Sequence, residues 1–251
     1  QRFTTPYQPR FDRGDHAVVV RTNYATNLET PRAIGADLDI VDLAYDQGWR
    51  LDLDEVADKV KPGTTRLISV TCPHNPTGTM LDLEDLKRLV GLAERAEAVL
   101  LVDEPYRDLT HTGDRIPLAA TLSPNVVSVS SMSKAYGLPG IRIGWAVTTD
   151  PMLGETLLAA KEQVVICGST IDEHIAGRVL ADRKRVLTPI MADVRDRLAI
   201  DDEWMAAQDT FEWIRPRGGV VGLVRFRESV EGDEAAFHHK LLADHGTYVG
   251  P

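Results

Sequence analysis

Short apolar runs alternate with helix-like stretches along the first 150 residues of the chain. In the helix-like stretches, which span 52–60 and 83–96, apolar residues recur at the spacing of one helix face. The apolar runs are rich in β-branched residues and nearly continuous, which is typical of strands buried on both faces. The predicted strands cover 18–20, 39–43, 66–70, 98–102, 125–130 and 141–147. This alternation predicts a mostly parallel sheet sandwiched by helices.

The pattern changes after residue 150. Longer stretches at 151–165 and 171–198 are predicted to be helices that carry Arg, Lys and Glu on their polar faces. Two short apolar runs, 211–214 and 220–226, flank a Pro-Arg-Gly-Gly turn and predict a hairpin. The stretch 234–245 then predicts an amphipathic helix that ends at a glycine.

These two patterns predict an α/β fold in two parts. Residues 1–187 are expected to form a large domain around the mostly parallel sheet. Residues 188–251 are expected to form a linker helix and the first part of a smaller α+β domain. A chain of 251 residues that is 43% hydrophobic can bury a sizeable core, which excludes the disordered and fibrous classes.

The charge and the cysteines narrow the classes of partner. The formal net charge is −10, which argues against nucleic acid or an anionic membrane as the main partner. Apolar runs of about five residues are far shorter than a membrane span. The two cysteines, Cys72 and Cys167, cannot form a disulfide framework or a zinc site by themselves, and they favour a cytoplasmic location. These features predict a protein with a small-molecule ligand.

Candidate chemistry begins directly after the third predicted strand, in the segment Cys-Pro-His-Asn-Pro-Thr-Gly at 72–78. Ligands bind at the carboxyl ends of strands in open α/β sheets. Two prolines and a glycine make this turn rigid and hold Asn75 in one orientation. The alternative is an ordinary loop between a strand and a helix. We interpret the neighbouring His74 as structural, and Cys72 as a packed residue rather than a nucleophile.

Two further segments follow predicted strands in the same way. Asp103 ends a buried strand, where a carboxylate requires a cation or a ligand donor, and Tyr106 brings a phenol to the same place. The alternative for Asp103 is a capping role. In the segment 128–145, serines, Lys134 and Arg142 occur in an order that suits a phosphate site with a lysine nucleophile beside it. The alternative for Lys134 is a solvated side chain in a loop.

The three segments are specific in combination. Asp103 comes 28 residues after Asn75, Lys134 comes 31 residues after Asp103, and Arg142 comes eight residues after Lys134. This order resembles the class I/II aminotransferases, which are fold-type I enzymes that depend on pyridoxal 5′-phosphate (PLP). The likeness extends from about residue 11 to residue 226.

The resemblance implies a role for each candidate residue. Lys134 would form a Schiff base with PLP, and Asp103 would pair with the pyridine nitrogen. Asn75 and Tyr106 would bind the ring's phenolic oxygen. Lys134, Asp103 and Tyr106 are thus the expected catalytic residues. The remaining expected cofactor contacts are with the phosphate, through Ser131, Ser133 and Arg142, and with the ring face, through stacking of Tyr24.

The resemblance also implies a reaction and leaves alternatives open. The expected enzyme is a homodimer that moves an amino group between an amino acid and a 2-oxo acid. Other PLP-dependent chemistry, in a capreomycidine synthase-like cyclase, a lyase or an oxidase, uses the same cofactor residues. A third alternative is the effector domain of a PLP-sensing transcription regulator. The family's N-terminal phosphate loop and its C-terminal substrate-binding arginine have no counterpart in the sequence, so we expect the chain to be part of a longer protein.

Overall fold

The structure is a computed structural model that describes residues 11–111, 113, 116–228 and 233–249. The first part of the chain contains β1 (His16–Arg21), α1 (Ala25–Ile34), β2 (Asp37–Asp42), α2 (Leu53–Lys59), β3 (Thr65–Thr71), α3 (Leu83–Ala96), β4 (Val99–Asp103), β5 (Val126–Ser131) and β6 (Gly144–Val147). The second part contains α4 (Pro151–Val164), α5 (Thr170–Ala181), α6 (Arg183–Ala207), β7 (Phe211–Trp213), β8 (Val224–Phe226) and α7 (Glu234–His245).

The central sheet has six strands in the order β2-β1-β3-β4-β5-β6. The first five strands of this sheet are parallel, and only β6 at the edge is antiparallel. The predicted mostly parallel sheet is confirmed. In this strand order β1, β3, β4 and β5 are consecutive neighbours, so their carboxyl ends form one continuous edge.

Helices cover both faces of the sheet. Alternate residues of β1 belong to two different cores: Val18 and Val20 pack in a cluster with α2 and α3, while Ala17 and Val19 pack with Leu28 of α1. Successive side chains of a strand point to opposite faces, so both faces are buried. This double burial explains why the strand is apolar throughout instead of alternating.

Two helices have the bounds that the sequence predicts, and both have clear end signals. Before α3, the Asp82 side chain accepts a hydrogen bond from the Asp85 backbone N–H, and the Asp85 side chain accepts one from the Asp82 N–H, which is a capping box. Before α7, the Asp233 side chain caps the helix, and Gly246 ends it in a left-handed conformation. These local contacts define where the helices begin and end.

One helix of the structure was not predicted, and several predicted elements were wrong in their extent. Residues 25–34 form α1, which has only two buried residues and a proline inside it, so no apolar stripe signals a helix. The predicted helix at 171–198 is two helices, α5 and α6, that are separated at Asp182, and α6 continues to Ala207. The predicted strand at 141–147 starts only at Gly144, because Arg142 adopts a left-handed φ of 54°.

The second part of the chain forms the predicted hairpin and helix, although the strand predicted at 220–226 starts only at Val224. Strands β7 and β8 pair antiparallel, and aromatic rings of Phe211, Phe226 and Phe237 join the hairpin to α7 at centroid distances of 4.9 to 5.8 Å. The proposed domain boundary after residue 187 lies inside α6. Within the described ranges, no helix has the length and apolar character needed to cross a membrane.

Candidate active site

The carboxyl edge of the sheet brings the predicted site segments together. Thr71 at the end of β3 is in register with Asp103 at the end of β4, and Asp103 is in register with Val129 of β5. Backbone hydrogen bonds continue past the strand ends, from Cys72 N–H to Asp103 O at 3.0 Å and from Glu104 N–H to Val129 O at 2.8 Å. The loops after β1, β3, β4 and β5 therefore start side by side.

Asp103 is a carboxylate in need of a cation. It is partly buried, and burial raises the pKa of its carboxyl, while a hydrogen bond from the Asn27 side chain opposes that rise. Among the residues that the structure describes, no basic side chain lies within 4.0 Å of the Asp103 carboxylate. A ligand with a cationic nitrogen at this position would compensate the buried charge.

A polar network next to Asp103 was missed by the sequence analysis. The Asn27 amide on α1 donates to Thr71 Oγ1 at 3.1 Å and to Asn23 Oδ1 at 3.2 Å. Thr71 Oγ1 in turn donates to Asn23 Oδ1 at 3.1 Å. These hydrogen bonds hold the Asn27 amide beside Thr71, the last residue of β3, which is in register with Asp103. The sequence does contain a signal for this network, because Asn23 and Asn27 both follow the first predicted strand.

The loop that carries Lys134 is closed by backbone hydrogen bonds. Met132 N–H donates to Ile143 O at 3.0 Å, and Leu138 N–H donates to Met132 O at 2.9 Å. At the base of the loop, Ser131 of β5 pairs with Gly144 of β6. The two ends of the segment 132–143 are thus held together, so residues that are eleven apart in sequence come into contact.

This closed loop contains most of the predicted phosphate and lysine chemistry. Ser133 N–H donates to Ser131 Oγ at 3.3 Å, and Arg142 Nη1 donates to the backbone oxygen of Pro139 at 2.8 Å. Lys134 and Arg142 are both exposed. In the described part of the chain, nothing forms a hydrogen bond or ion pair with the Lys134 amine. The amine is accessible and has no structural partner there.

Tyr106 and Tyr24 differ in burial. Tyr106 is 2% exposed and packs with Leu109 and Met132, and burial raises the pKa of its phenol, so the hydroxyl remains a hydrogen-bond donor at neutral pH. The Tyr106 phenol also interacts electrostatically with Asp103 and Tyr24, so all three lie at the same edge. Tyr24 itself is 55% exposed, so its side chain is accessible to solvent.

The turn that holds Asn75 is fixed from within. His74 N–H donates to Thr79 O and Gly78 N–H donates to His74 O, both at 2.8 Å, and the His74 ring bonds to Thr77 Oγ1 at 2.9 Å. Burial lowers the pKa of His74 to about 4, so this ring is neutral near pH 7, and its structural role stays a prediction. Cys72 is fully buried, as expected for a packed residue, and burial raises the pKa of its thiol to about 12.

The arrangement fits the cofactor that the sequence predicts. It combines a buried carboxylate without a cation, an accessible amine, a phenol, an amide, and a loop with hydroxyl and guanidinium donors. Such a set matches a phosphorylated, nitrogen-containing aromatic aldehyde at each of its polar groups. The individual residue roles stay predictions.

Comparisons with known proteins identify the family to which the chain is similar. The model of a family described as aminotransferase class I and II matches residues 2–251. Capreomycidine synthase from Streptomyces vinaceus is 33% identical over 240 residues, which cover 94% of this chain and 60% of that protein. The chain spans three fifths or less of the length of these curated relatives.

Two solved structures show the same fold. A PLP-dependent aminotransferase from Streptococcus suis 89-1591 has a TM-score of 0.89 at 29% identity, with 96% of this chain and 63% of that chain covered. The PLP-dependent cyclase OrfR has a TM-score of 0.82 at 31% identity, with 94% of this chain and 63% of that chain covered. One neighbour is an aminotransferase and the other is a cyclase.

Proposed function

Because the chain belongs to the aminotransferase class I and II family, whose cofactor is PLP, we propose that the protein transfers amino groups between amino acids and 2-oxo acids. The observation that carries the proposal is the accessible, unpartnered Lys134 amine after β5, one strand away from the buried Asp103 carboxylate. An accessible amine, and a partly buried carboxylate that no cation of the described structure compensates, are the two groups that this chemistry requires.

PLP, when bound, supplies a conjugated ring that accepts the electron pair left on the α-carbon of an amino acid. Asp103 would hold a proton on the ring nitrogen by pairing with the cationic form. Asn75 and Tyr106 would donate hydrogen bonds to the ring oxygen, and Tyr24 would cover the ring face. Each of these residues would orient the ring, and Asp103 would also keep the ring nitrogen positively charged.

The lysine loop would provide the anchor and the proton carrier. Ser131, Ser133 and Arg142 would bind the phosphate through hydroxyl, backbone N–H and guanidinium donors. Lys134 would hold the cofactor covalently in the resting enzyme. Once its amine is free, Lys134 is the base that removes the proton from the α-carbon of the amino acid and later returns it.

Amino transfer measured with a panel of amino acids and 2-oxo acids tests the proposal. The wild-type protein with added PLP is expected to show the absorbance band of bound cofactor and to convert at least one pair. Lys134→Ala should lose both. Lys87→Ala is the matched control, since Lys87 is an exposed lysine on α3 that pairs with Glu84. Transfer that persists at the wild-type rate in Lys134→Ala would contradict the assigned base.

A PLP-dependent cyclase is the second candidate function. It is supported by the 33% identity to capreomycidine synthase and the 31% identity to the cyclase OrfR. The two reactions differ in stoichiometry, because amino transfer consumes one 2-oxo acid for each amino acid whereas internal cyclisation consumes none. Mass spectrometry of the products with and without a 2-oxo acid therefore distinguishes them.

We also propose that the protein acts as a homodimer. Large apolar side chains are exposed around the junction of α4 and α5, among them Val164 at 84%, Ile166 at 83% and Ile171 at 74%. Exposed apolar patches are typical of interaction surfaces. Sedimentation equilibrium is expected to give a dimer, and Ile166→Glu should shift it towards monomer. A monomeric wild type would contradict this proposal.

A further inference from the structure

The turn at 216–219, between β7 and β8, contacts the Asn75 turn although the two are far apart in sequence. We call residues 216–219 the glycine turn. Gly78 O, at the end of the Asn75 turn, accepts hydrogen bonds from Arg217 N–H at 2.7 Å and from Gly218 N–H at 3.1 Å. One carbonyl thus joins the second part of the chain to a loop at the carboxyl edge of the sheet.

The glycine turn also contacts the loop that follows Tyr106. Gly219 N–H donates to Leu109 O at 2.8 Å, and His111 N–H donates to Arg217 O at 2.9 Å. The His111 ring nitrogen Nε2 lies 3.0 Å from Gly219 O, and because a carbonyl only accepts, Nε2 carries the proton. The glycine turn is therefore hydrogen-bonded to both loops that hold the predicted contacts of the ring oxygen.

The approach is so close that only glycine fits. A Cβ on Gly218 would lie 2.8 Å from Pro73 Cγ and 3.1 Å from Met80 Sδ. A Cβ on Gly78 would overlap the Pro216 ring. These neighbours include rigid proline rings, so a side chain at either position would have to push the loops apart.

We infer that the glycine turn is a positioning element that sets the separation of Asn75 and Tyr106, and so couples the β7–β8 hairpin to cofactor binding. The inference rests on the proposed roles of Asn75 and Tyr106. Pro216, Gly218 and Gly219 are buried and act through the two loops rather than on the cofactor itself. Coupling of this kind is reciprocal, so cofactor binding must also stabilise the hydrogen bonds of the glycine turn.

Hydrogen–deuterium exchange of the wild-type protein, with and without PLP, tests this reciprocity. Peptides that cover the amides of Arg217, Gly218 and Gly219 are expected to exchange several-fold more slowly when PLP is bound. A peptide from α5 provides the internal comparison and should exchange equally in both states. Unchanged exchange in the glycine turn upon binding of PLP would overturn the inference.

Gly218→Ala provides a second test. Gly218 has no left-handed φ, so the added Cβ acts through its contacts with Pro73 and Met80 and not through backbone strain. The variant is expected to bind PLP about tenfold more weakly, as measured by absorbance titration. Gly177→Ala is the matched control, because its Cβ would meet nothing within 4 Å. A folded Gly218→Ala protein with wild-type affinity would contradict the inference.

Different results would contradict the proposed function and the positioning role of the glycine turn. A wild-type protein that does not bind PLP would contradict the proposed function. A wild-type protein that binds PLP without slower exchange at Arg217, Gly218 and Gly219 would contradict only the positioning role of the glycine turn. The exchange experiment needs no variant, so it remains decisive even where Gly218→Ala does not fold.

Discussion

Replacing Asp103 by asparagine is expected to stabilise the cofactor-free protein while weakening its affinity for PLP. Burial raises the pKa of the Asp103 carboxyl, so the charged form is disfavoured in the folded state. In the described structure only the Asn27 amide opposes this penalty, since no cation lies within 4.0 Å. Asparagine has nearly the same shape but no charge. It therefore removes both the cost of burying the charge and the anionic partner of the ring nitrogen.

The magnitudes follow from the surroundings of this carboxylate. A charged group whose burial is incompletely compensated costs about 1–3 kcal/mol or more, and the Asn27 hydrogen bond offsets part of this. We therefore expect the free energy of unfolding to rise by about 1 kcal/mol, which raises Tm by about 2–4 °C for a chain of this size. Loss of a charge-assisted contact of about 1.5–3 kcal/mol should weaken PLP binding roughly tenfold to a hundredfold.

The pH dependence has a definite sign. The folded-state pKa of Asp103 lies above the usual value of 3.8, so the carboxyl reduces stability as pH rises above that value. The difference in Tm between variant and wild type, both without PLP, should be small near pH 4 and larger at pH 7. Differential scanning calorimetry gives Tm, and absorbance titration gives the affinity.

The control for this prediction is Asp82→Asn, which removes an exposed aspartate charge from the N-cap of α3. Asparagine caps a helix about as well as aspartate, so neither Tm nor affinity should change much. If Asp103→Asn instead lowers Tm and leaves the affinity for PLP unchanged, Asp103 is a structural capping residue. That result would refute both the electrostatic reasoning and the assigned role.

Three further predictions concern single groups. Iodoacetamide at pH 8 should label only the exposed Cys167 in the native protein. Cys72 is buried and its pKa is about 12, so it should react only in denaturant, and two labels on the native protein would contradict this prediction. Because burial lowers the pKa of His74 from 6.5 to about 4, stability should fall by about 3 kcal/mol as pH drops through that window. His74→Gln should flatten this dependence of Tm on pH, whereas the control His174→Gln, at an exposed histidine, should leave it unchanged. An unchanged dependence in His74→Gln would contradict the assignment to His74. Asn27→Leu should raise the pKa of the carboxyl at the end of β4, as measured by carboxyl ¹³C NMR of the cofactor-free protein, and an unchanged titration would show that the Asn27 network is not coupled to it.

The sequence predicts those features whose signals are local. The bounds of α3 follow from its apolar stripe and from the Asp82–Asp85 capping box, which are all encoded within fifteen or so residues. In contrast, α1 lacks a stripe, and Pro31 inside it is a signal against a helix. The separation of α5 from α6 at Asp182 leaves the helical pattern of the sequence almost unbroken.

The site follows the same division. The segments around Asn75, Asp103 and Lys134 were found because polar residues directly after apolar strands must meet at one edge of a parallel sheet. The contact between Asn27 and Thr71 joins residues that are 44 apart through a helix that the sequence does not signal. The glycine turn is more distant still, and only the folded chain shows that its glycines are required by neighbours from other loops.

The opposite, amino edge of the sheet contains a cluster of charged groups that are paired with one another. His16 at the start of β1 bonds to Thr65 Oγ1 at 2.8 Å and to Asp39 Oδ2 at 3.0 Å, and the Lys61 amine lies 2.7 Å from the same Asp39 oxygen. The hydrogen bond from Lys61 is the main cause of the lowered pKa of Asp39, with a further contribution from His16. Each polar group of this cluster therefore has a partner within the protein, and the cluster stabilises the fold without a ligand.

The part of the carboxyl edge around Asp103 and Lys134 differs from this cluster in its charge pairing. There burial raises the pKa of Asp103 because no cation of the described structure compensates it, and the Lys134 amine has no acceptor among the described residues. Paired charges occur elsewhere in the same sheet, also at the ends of β1 and β2, where Arg21 Nε lies 2.6 Å from Asp42 Oδ1, so incomplete pairing is not a general property of the chain. A group that lowers stability in the cofactor-free protein is retained where a ligand compensates it, because the same charge then contributes to binding. This is why Asp103→Asn should move stability and affinity in opposite directions, whereas a substitution at a paired charge such as Asp39 should only destabilise.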